Sequence, residues 1–247
     1  MRPIATLKTL FHMAMMPLRT RNCTHEERLE QFYKGQADDY DAFRKKLLHG
    51  RTEMIESLPV EEGDRWIDFG AGTGENVQLM GDRLEKLEQV TLVDLCESLL
   101  EVANARIEGK GWKNVEAVHA DATKYTPEKP ADIVTFSYSL TMIPDWFSAI
   151  ENALRILKPG GVIGVVDFYV SRTHPDEDLK RHSWFTRMFW PTWFNTDNVW
   201  PNKDHLPYLC RHFVDNDVTE SKGKMPLMPL MRVPHYRFVG RKPAEET

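Results

Sequence analysis

A chain of 247 residues with 41% hydrophobic and 28% charged side chains can bury one substantial core and is not of disordered composition. Its net charge of −5 gives no global drive towards nucleic acid, and no apolar run reaches the roughly 20 residues of a bilayer span. Cys23, Cys96 and Cys210 stand far apart, which excludes a CxxC or Cys/His zinc cluster and a disulfide framework and suits a reducing compartment.

The first 25 residues carry Arg2, Lys8, Arg19 and Arg21 and no acid. Ile4, Leu7, Leu10, Phe11, Ala14, Met15 and Leu18 recur at helical spacing, the pattern of a basic amphipathic helix in a membrane interface. A helix packed on its own domain and a targeting segment are the alternatives. Lys8, Thr9 and His12 interrupt the apolar run, which weighs against a cleaved signal. Residues 24–57 read as helical, with Thr24 and Glu27 placed as a capping box.

After Pro59 the texture changes to short apolar runs alternating with helical ones. "DRWIDFG", "VTLVDL", "VEAVHA", "ADIVTFSYS" and "VIGVVDFYV" read as five strands. Helices are expected over 73–87, 97–108 and 145–157. This alternation implies right-handed crossovers and a doubly wound, mostly parallel sheet. Residues 171–201 read as irregular and hold Trp184, Phe185, Phe189, Trp190, Trp193, Phe194 and Trp200. A helix over 203–213 and strands near 214–222 and 235–241 complete the chain. The division is an N-terminal helical arm and cap, 1–58, and one α/β domain, 59–247, with 171–201 as an aromatic lid insertion.

"WIDFGAGTGEN" carries the chemistry. Gly70, Gly72 and Gly74 follow a strand and open a helix, where glycines allow a tight turn and close approach of a ligand to the backbone. The spacing is GxGxG, and Asp68 stands two residues before the first glycine. An acid there repels a diphosphate and attracts a cation, which points to a nucleoside with a positively charged amino-acid tail rather than a dinucleotide. Asp94, at the end of the second strand, is placed for ribose hydroxyls. Asp121, after the third, is placed for an adenine amine beside Ala122.

These stretches, with "LKPGGVIGVVDF", resemble in order the motifs of class I S-adenosylmethionine-dependent methyltransferases, over about residues 60–170. The resemblance implies a Rossmann-like, seven-stranded sheet with a reversed hairpin at its edge, and S-adenosylmethionine as cofactor. By the family's pattern Asp68 and Gly70 hold the methionine tail, Asp94 with Leu95 the ribose, and Asp121 with Ala122 the adenine. Ser137 and Tyr138 line the methyl-transfer side, and an N-terminal aromatic, Tyr40 with Tyr33 in reserve, closes over the site. "FYKGQADDYDAFRKKLLHGR", "FSYSLTMIPDW" and the tryptophan-rich insertion resemble the methyltransferase half of eukaryotic betaine lipid synthases. That resemblance implies N-methylation of diacylglyceryl-homoserine. It also implies an aminocarboxypropyltransferase, as partner or fused domain, to make the substrate.

The expected function is therefore transfer of methyl groups to a lipid amine. The expected location is cytoplasmic, peripheral on a membrane, which is the endoplasmic reticulum in a eukaryote. The alternatives are a quinone or sterol C-methyltransferase and a catalytically silent scaffold. Tyr138, Asp145 and His182 are the candidate bases, though an amine needs no strong one. Arg44 is a candidate partner for the acceptor's carboxylate, and Trp190 and Trp193 for the acceptor itself. No carboxylate cluster near the fourth strand suits Mg²⁺, so no metal is expected.

Overall fold

The computed structural model describes residues 47–195, 198–225 and 228–244, together with positions 24, 26, 27 and 30. Thr24 and Glu27 form the expected reciprocal cap: the Thr24 N–H donates to Glu27 Oε2 at 2.7 Å and the Glu27 N–H to Thr24 Oγ1 at 3.2 Å. The helical reading of 24–57 does not hold throughout, because Leu48–Gly50 leave the helix and Gly50 turns left-handed at φ 78°. A new helix, α1, Arg51–Ser57, follows.

The elements then alternate. They are β1 (Arg65–Phe69), α2 (Glu75–Met80), β2 (Gln89–Asp94), α3 (Glu97–Lys110), β3 (Val115–His119), β4 (Ala131–Ser137), α4 (Trp146–Ile156) and β5 (Leu157–Phe168). The C-terminal part supplies α5 (Trp184–Phe194), α6 (His205–His212), β6 (Val214–Met225) and β7 (Met228–Arg241). One seven-stranded sheet results, in the order β3-β2-β1-β4-β5-β7-β6, with β7 antiparallel to both neighbours. This is the expected doubly wound sheet with its reversed hairpin. Order reverses between β1 and β4, so their C-terminal ends open the crevice in which such sheets bind ligands.

Strand alternation decides which side chains reach which layer. Ile67, Phe69, Val134, Phe136, Ile163 and Val165 face one layer with Ile150 of α4 and Phe238 of β7. Trp66, Ile133, Val162 and Val166 face the other, with Met54 and Ile55 of α1. Both faces are covered, which is why these strands read as continuous apolar runs rather than alternating ones.

Three expectations are corrected. The helix over 73–87 is α2 followed by a 3₁₀ stretch, Gly81–Lys86. The last two strands are longer than read: β6 runs on to Met225 and β7 begins at Met228. Pro234 lies in β7 just beyond His235, the last residue in register with β5; its carbonyl still accepts from the Tyr169 N–H at 3.3 Å, and its missing N–H is tolerated at this end of the pairing. The aromatic segment is not irregular throughout: α5 runs through it with Pro191 inside, capped by Ser183, whose hydroxyl accepts from the Thr186 N–H at 3.2 Å. None of the described helices is long and apolar enough to cross a membrane.

One core position carries a stability prediction. His205 is fully buried edge-on against Trp146, and neither ring nitrogen has a hydrogen-bond partner among the described residues. Burial pushes its pKa down to about 3, below the usual value near 6.5. The folded state therefore holds the ring neutral, and its contribution is complete above pH 6.5 and lost as pH falls towards 3. His205→Leu removes two unsatisfied polar atoms as well as that loss. Thermal denaturation should show a variant at least as stable as the parent at pH 7 and more stable by about 2 kcal/mol relative to it at pH 5. A pH dependence identical to the parent's would refute this account of the ring.

Candidate active site

The C-terminal ends of β1, β2, β3 and β4 enclose a cleft of roughly 350 Å³. Its floor is the glycine turn. The N–H groups of Gly70 and Ala71 donate to the Val93 carbonyl at 2.8 and 3.2 Å, which stitches the turn to β2. Gly70 sits at φ 67°, and a Cβ placed there would lie 2.3 Å from the Ser139 Cβ. No other residue type fits both the dihedral and the gap.

Asp94 joins two loops. Its Oδ2 accepts from the Gly72 N–H and its Oδ1 from the Cys96 N–H, both at 2.8 Å, so the carboxylate is held rigidly at the cleft wall. A carboxylate has about four acceptor positions, and the geometry suits a diol as well as the two amides. Asp121, on the next strand end, turns its own loop by accepting from the Thr123 N–H and hydroxyl, each at 2.8 Å. Leu95, Ala120 and Ala122 complete this polar-edged, apolar-walled half.

Asp68 is placed differently from the expectation. The pleat turns it to the same layer as Trp66, where it pairs across the sheet with Thr135. Trp66 Nε1 donates to Thr135 Oγ1 at 2.7 Å, Thr135 donates to Asp68 Oδ1 at 2.6 Å, and Asn76 Nδ2 donates to Oδ2 at 2.8 Å. The carboxyl is fully buried behind the turn and does not line the cleft. Burial pushes its pKa up to about 6, against the pull of the two hydrogen bonds. Above that pH it is an anion behind the glycine turn. Gly74 does not line the cleft: it holds a left-handed backbone at φ 71° as it opens α2, and a Cβ there would also meet Leu92 Cδ1 at 2.9 Å.

Tyr138, the first residue after β4, holds a left-handed backbone at φ 56°, uncommon for a bulky residue and a feature of ligand sites. Its N–H donates to the Val166 carbonyl at 2.8 Å and its hydroxyl to the His49 carbonyl. Burial pushes the phenol well above its ordinary pKa, so it stays protonated and serves as a wall. Ser137 is buried one residue earlier, outside the lining, and its hydroxyl has no partner among the described residues.

The opposite wall is Met142, Ile143, Pro144 and Asp145. It hangs on a 3₁₀ turn, Leu140–Met142, clamped from β5. Thr141 donates its N–H to Asp167 at 3.0 Å and its hydroxyl at 2.7 Å, and the Phe168 N–H donates to the same carboxylate at 2.8 Å. Asp167 is fully buried, and burial pushes its pKa up to about 7. Asp145 caps α4, accepting from the Ser148 N–H at 3.2 Å, while lining the cleft.

Sequence reasoning did not find Ser139, Met142, Ile143, Thr141 or Asp167. Asp167 stands at the end of the fifth strand, and its partner Thr141 lies 26 residues away. His182 stands apart from the cleft. Its Nδ1 accepts from the Ser171 N–H at 3.1 Å and its own N–H donates to Ser171 Oγ at 2.8 Å, and burial pushes its pKa down to about 4. It pins the loop that leads to α5. Trp190 is buried against Phe189 and Phe194, and Trp193 is partly exposed; neither lines the cleft. Tyr33, Tyr40, Arg44 and the amphipathic segment 1–22 lie outside the described residues.

Comparison with known proteins agrees with the fold. The family described as the ubiE/COQ5 methyltransferase family matches residues 23–191. A demethylmenaquinone methyltransferase of Listeria welshimeri is 27% identical over 58% of this chain and 64% of its own length. The ubiquinone/menaquinone biosynthesis C-methyltransferase UbiE of Shewanella sediminis is 33% identical over 59% of each chain. The chain thus spans less than two thirds of the length of these curated relatives. Among solved structures, phosphoethanolamine N-methyltransferase 2 of Haemonchus contortus, crystallised with S-adenosyl-L-methionine, shares the fold at a TM-score of 0.67 and 16% identity, over 90% of this chain and 61% of that one.

Proposed function

The chain belongs to the ubiE/COQ5 methyltransferase family, and we propose that it transfers the methyl group of S-adenosylmethionine to a ring carbon of a lipid-soluble quinol. The carrying observation is the division of one cleft into two chemistries. Asp94, Asp121 and the glycine turn suit a nucleoside, and the buried acid Asp68 behind them suits its cationic tail. Facing them, Met142, Ile143 and Pro144 form an apolar wall with a single carboxylate, Asp145.

When bound, the cofactor supplies an electrophilic sulfonium methyl. The protein's part is to align acceptor and donor, which can lower the barrier by roughly 7–11 kcal/mol. Asp94 and the glycine turn fix one partner, and the Met142–Pro144 wall keeps water from the other. A ring carbon becomes nucleophilic only when a neighbouring hydroxyl gives up its proton. Of the three candidate bases, His182 is elsewhere and Tyr138 is itself a donor, which leaves Asp145. Asp94 and the glycine turn would hold the donor, which would supply the methyl group to the ring carbon; the ring would regain aromaticity by losing the displaced hydrogen to solvent as a proton.

The relatives' names support this reading over methylation of diacylglyceryl-homoserine. So does the cleft: Tyr138 is its one aromatic side chain among the described residues, whereas a trimethylammonium product is best held by several faces. Only the amine reading requires an aminocarboxypropyltransferase to supply the substrate. Either acceptor would be lipid-borne, so work at a membrane surface belongs to the same proposal.

The test is to incubate the protein with methyl-labelled S-adenosylmethionine and a lipid extract holding both a demethylated quinol and diacylglyceryl-homoserine. Label in the ring-methylated quinone is the expected result. Label in a zwitterionic lipid would move the assignment to the amine, and cofactor binding with no labelled product would leave a silent scaffold. Asp94→Ala should weaken S-adenosylmethionine binding by about 10–100-fold in calorimetry, since hydrogen bonds to a charged group contribute roughly 1.5–3 kcal/mol.

A further inference from the structure

β1, β2 and β4 each lead into a helix, whereas residues 120–130 run from β3 to β4 without one. A loop that lacks a helix's own ladder of hydrogen bonds takes its position from the groups it bonds to. The Lys124 and Tyr125 N–H groups donate to the Asp121 carbonyl at 2.9 and 2.8 Å, so the loop closes on itself as a turn. From outside it is held by α4. Asn152 Nδ2 donates to the Ala122 carbonyl at 2.8 Å and to the Tyr125 carbonyl at 2.9 Å. One turn on, Arg155 Nη2 donates to Thr126 Oγ1 at 2.9 Å and to the Tyr125 carbonyl at 3.3 Å.

Asn152 is buried, which is uncommon for an asparagine. Its orientation is fixed by chemistry. Arg155 can only donate, and its Nε lies 3.2 Å from Asn152 Oδ1, so the amide turns its oxygen to Arg155 and its NH₂ to the loop. Two donors then meet two carbonyls. The helix behind them is anchored, because Ala149, Ile150, Ala153 and Ile156 are buried against the sheet. The loop that Asn152 holds carries Asp121 and Ala122, both in the cleft lining. Thr123 occupies Asp121 Oδ1. Oδ2 meets only the exposed Lys124 Nζ, at 3.8 Å, among the described residues, which makes it the atom to receive a base amine.

We propose that Asn152 is a positioning residue for cofactor selection: by holding the Ala122 and Tyr125 carbonyls it sets the Asp121 carboxylate where it tells adenine, with its exocyclic amine, from a base that carries an oxygen there. Without its two donors, the buried carbonyls lose their partners and the loop shifts, carrying Asp121 away from the base. A hydrogen bond weakens steeply with such a shift, whereas the apolar contacts of Leu95 and Ala120 do not. The inference rests on the nucleoside half of the proposed reading and on neither acceptor.

The experiment is calorimetry on the full chain with S-adenosylhomocysteine and with S-inosylhomocysteine, which has a carbonyl in place of the adenine amine. The parent should prefer the adenine form by about 10–100-fold, the worth of a hydrogen bond to a charged group. Asn152→Asp keeps the shape and the oxygen towards Arg155 and removes both donors. Its preference should fall to about threefold or less, through weaker binding of the adenine form. Asn152→Leu removes the same donors without adding a charge and should do the same. Ile150→Val is the control: it leaves a small gap under the same helix and touches neither loop carbonyl. It should lower the melting temperature and keep the parent's preference. A parent-like preference in both Asn152 variants would overturn the positioning role. So would an equal collapse in Ile150→Val, because general loosening would then explain it. A parent with no preference would overturn the proposal one step earlier, by removing Asp121 from base recognition, and would leave Asp94 and the quinol reading to their own tests.

Discussion

Gly70→Ala is expected to abolish measurable S-adenosylmethionine binding and to lower the melting temperature by roughly 5–15 °C. Two costs combine. A left-handed backbone at an alanine costs about 1–2 kcal/mol, and forcing a methyl into an occupied space costs about 1–3 kcal/mol. In a chain of this size each kcal/mol moves the midpoint by about 2–4 °C. The occupied space is decisive, because the methyl would lie 2.3 Å from the Ser139 Cβ. Ser139 cannot simply yield. Its hydroxyl donates to the Phe69 carbonyl at 2.8 Å, and its own carbonyl accepts from Met142 and Ile143 at 2.9 and 3.1 Å. Displacing it moves the glycine turn and the acceptor wall together. Gly111→Ala is the control. That glycine also has φ 67°, at the end of α3, but nothing lies within 4 Å of a Cβ there. It should lose about 1 kcal/mol of stability and keep its cofactor affinity. If differential scanning and calorimetry gave the two variants the same profile, backbone strain alone would account for Gly70.

The contrast between those two glycines also shows what a sequence can display. A glycine after a strand, an acid at the next strand end and another at the third are local signals, so Gly70, Asp94 and Asp121 are legible as cleft residues, as is the parallel sheet; the reversed hairpin comes from the family resemblance. Whether a glycine is needed for its dihedral or for a neighbour's side chain depends on Ser139, 69 residues away, and is not. The same limit explains Asp68. Its position beside the turn suggested contact with the ligand, but the pleat hands it to Thr135 and Asn76. It also explains α5. Rings on both faces of a helix erase the stripe that periodicity relies on. The inner rings are core only because Phe168 and Tyr138 come to meet them, and the outer ones have no partner within the sheet. His182 looked catalytic for its residue type, and burial against Tyr169 with two bonds to Ser171 makes it a neutral loop anchor.

Asp145→Asn separates the proposed chemistry from both its structural alternative and its rival acceptor. Asn and Asp cap helices about equally well, and the side-chain oxygen that accepts from Ser148 is kept. The fold and S-adenosylmethionine affinity should therefore be those of the parent. What the substitution removes is the one carboxylate on the apolar wall. For a quinol, whose ring carbon gains nucleophilicity only as its hydroxyl loses a proton, turnover should fall by about 10²–10⁴-fold, the usual worth of a positioned base. For an amine the demand is much weaker. An α-amino group with a pKa near 8 is already neutral in about a tenth of molecules at pH 7, and an apolar wall favours the neutral form further. The same substitution should then cost only a few-fold. Single-turnover rates on both acceptors, read beside cofactor affinity, place the residue. A large loss on the quinol with unchanged affinity makes Asp145 its proton acceptor. Unchanged turnover on the quinol would reduce Asp145 to a helix cap and would require the base to come from another part of the chain.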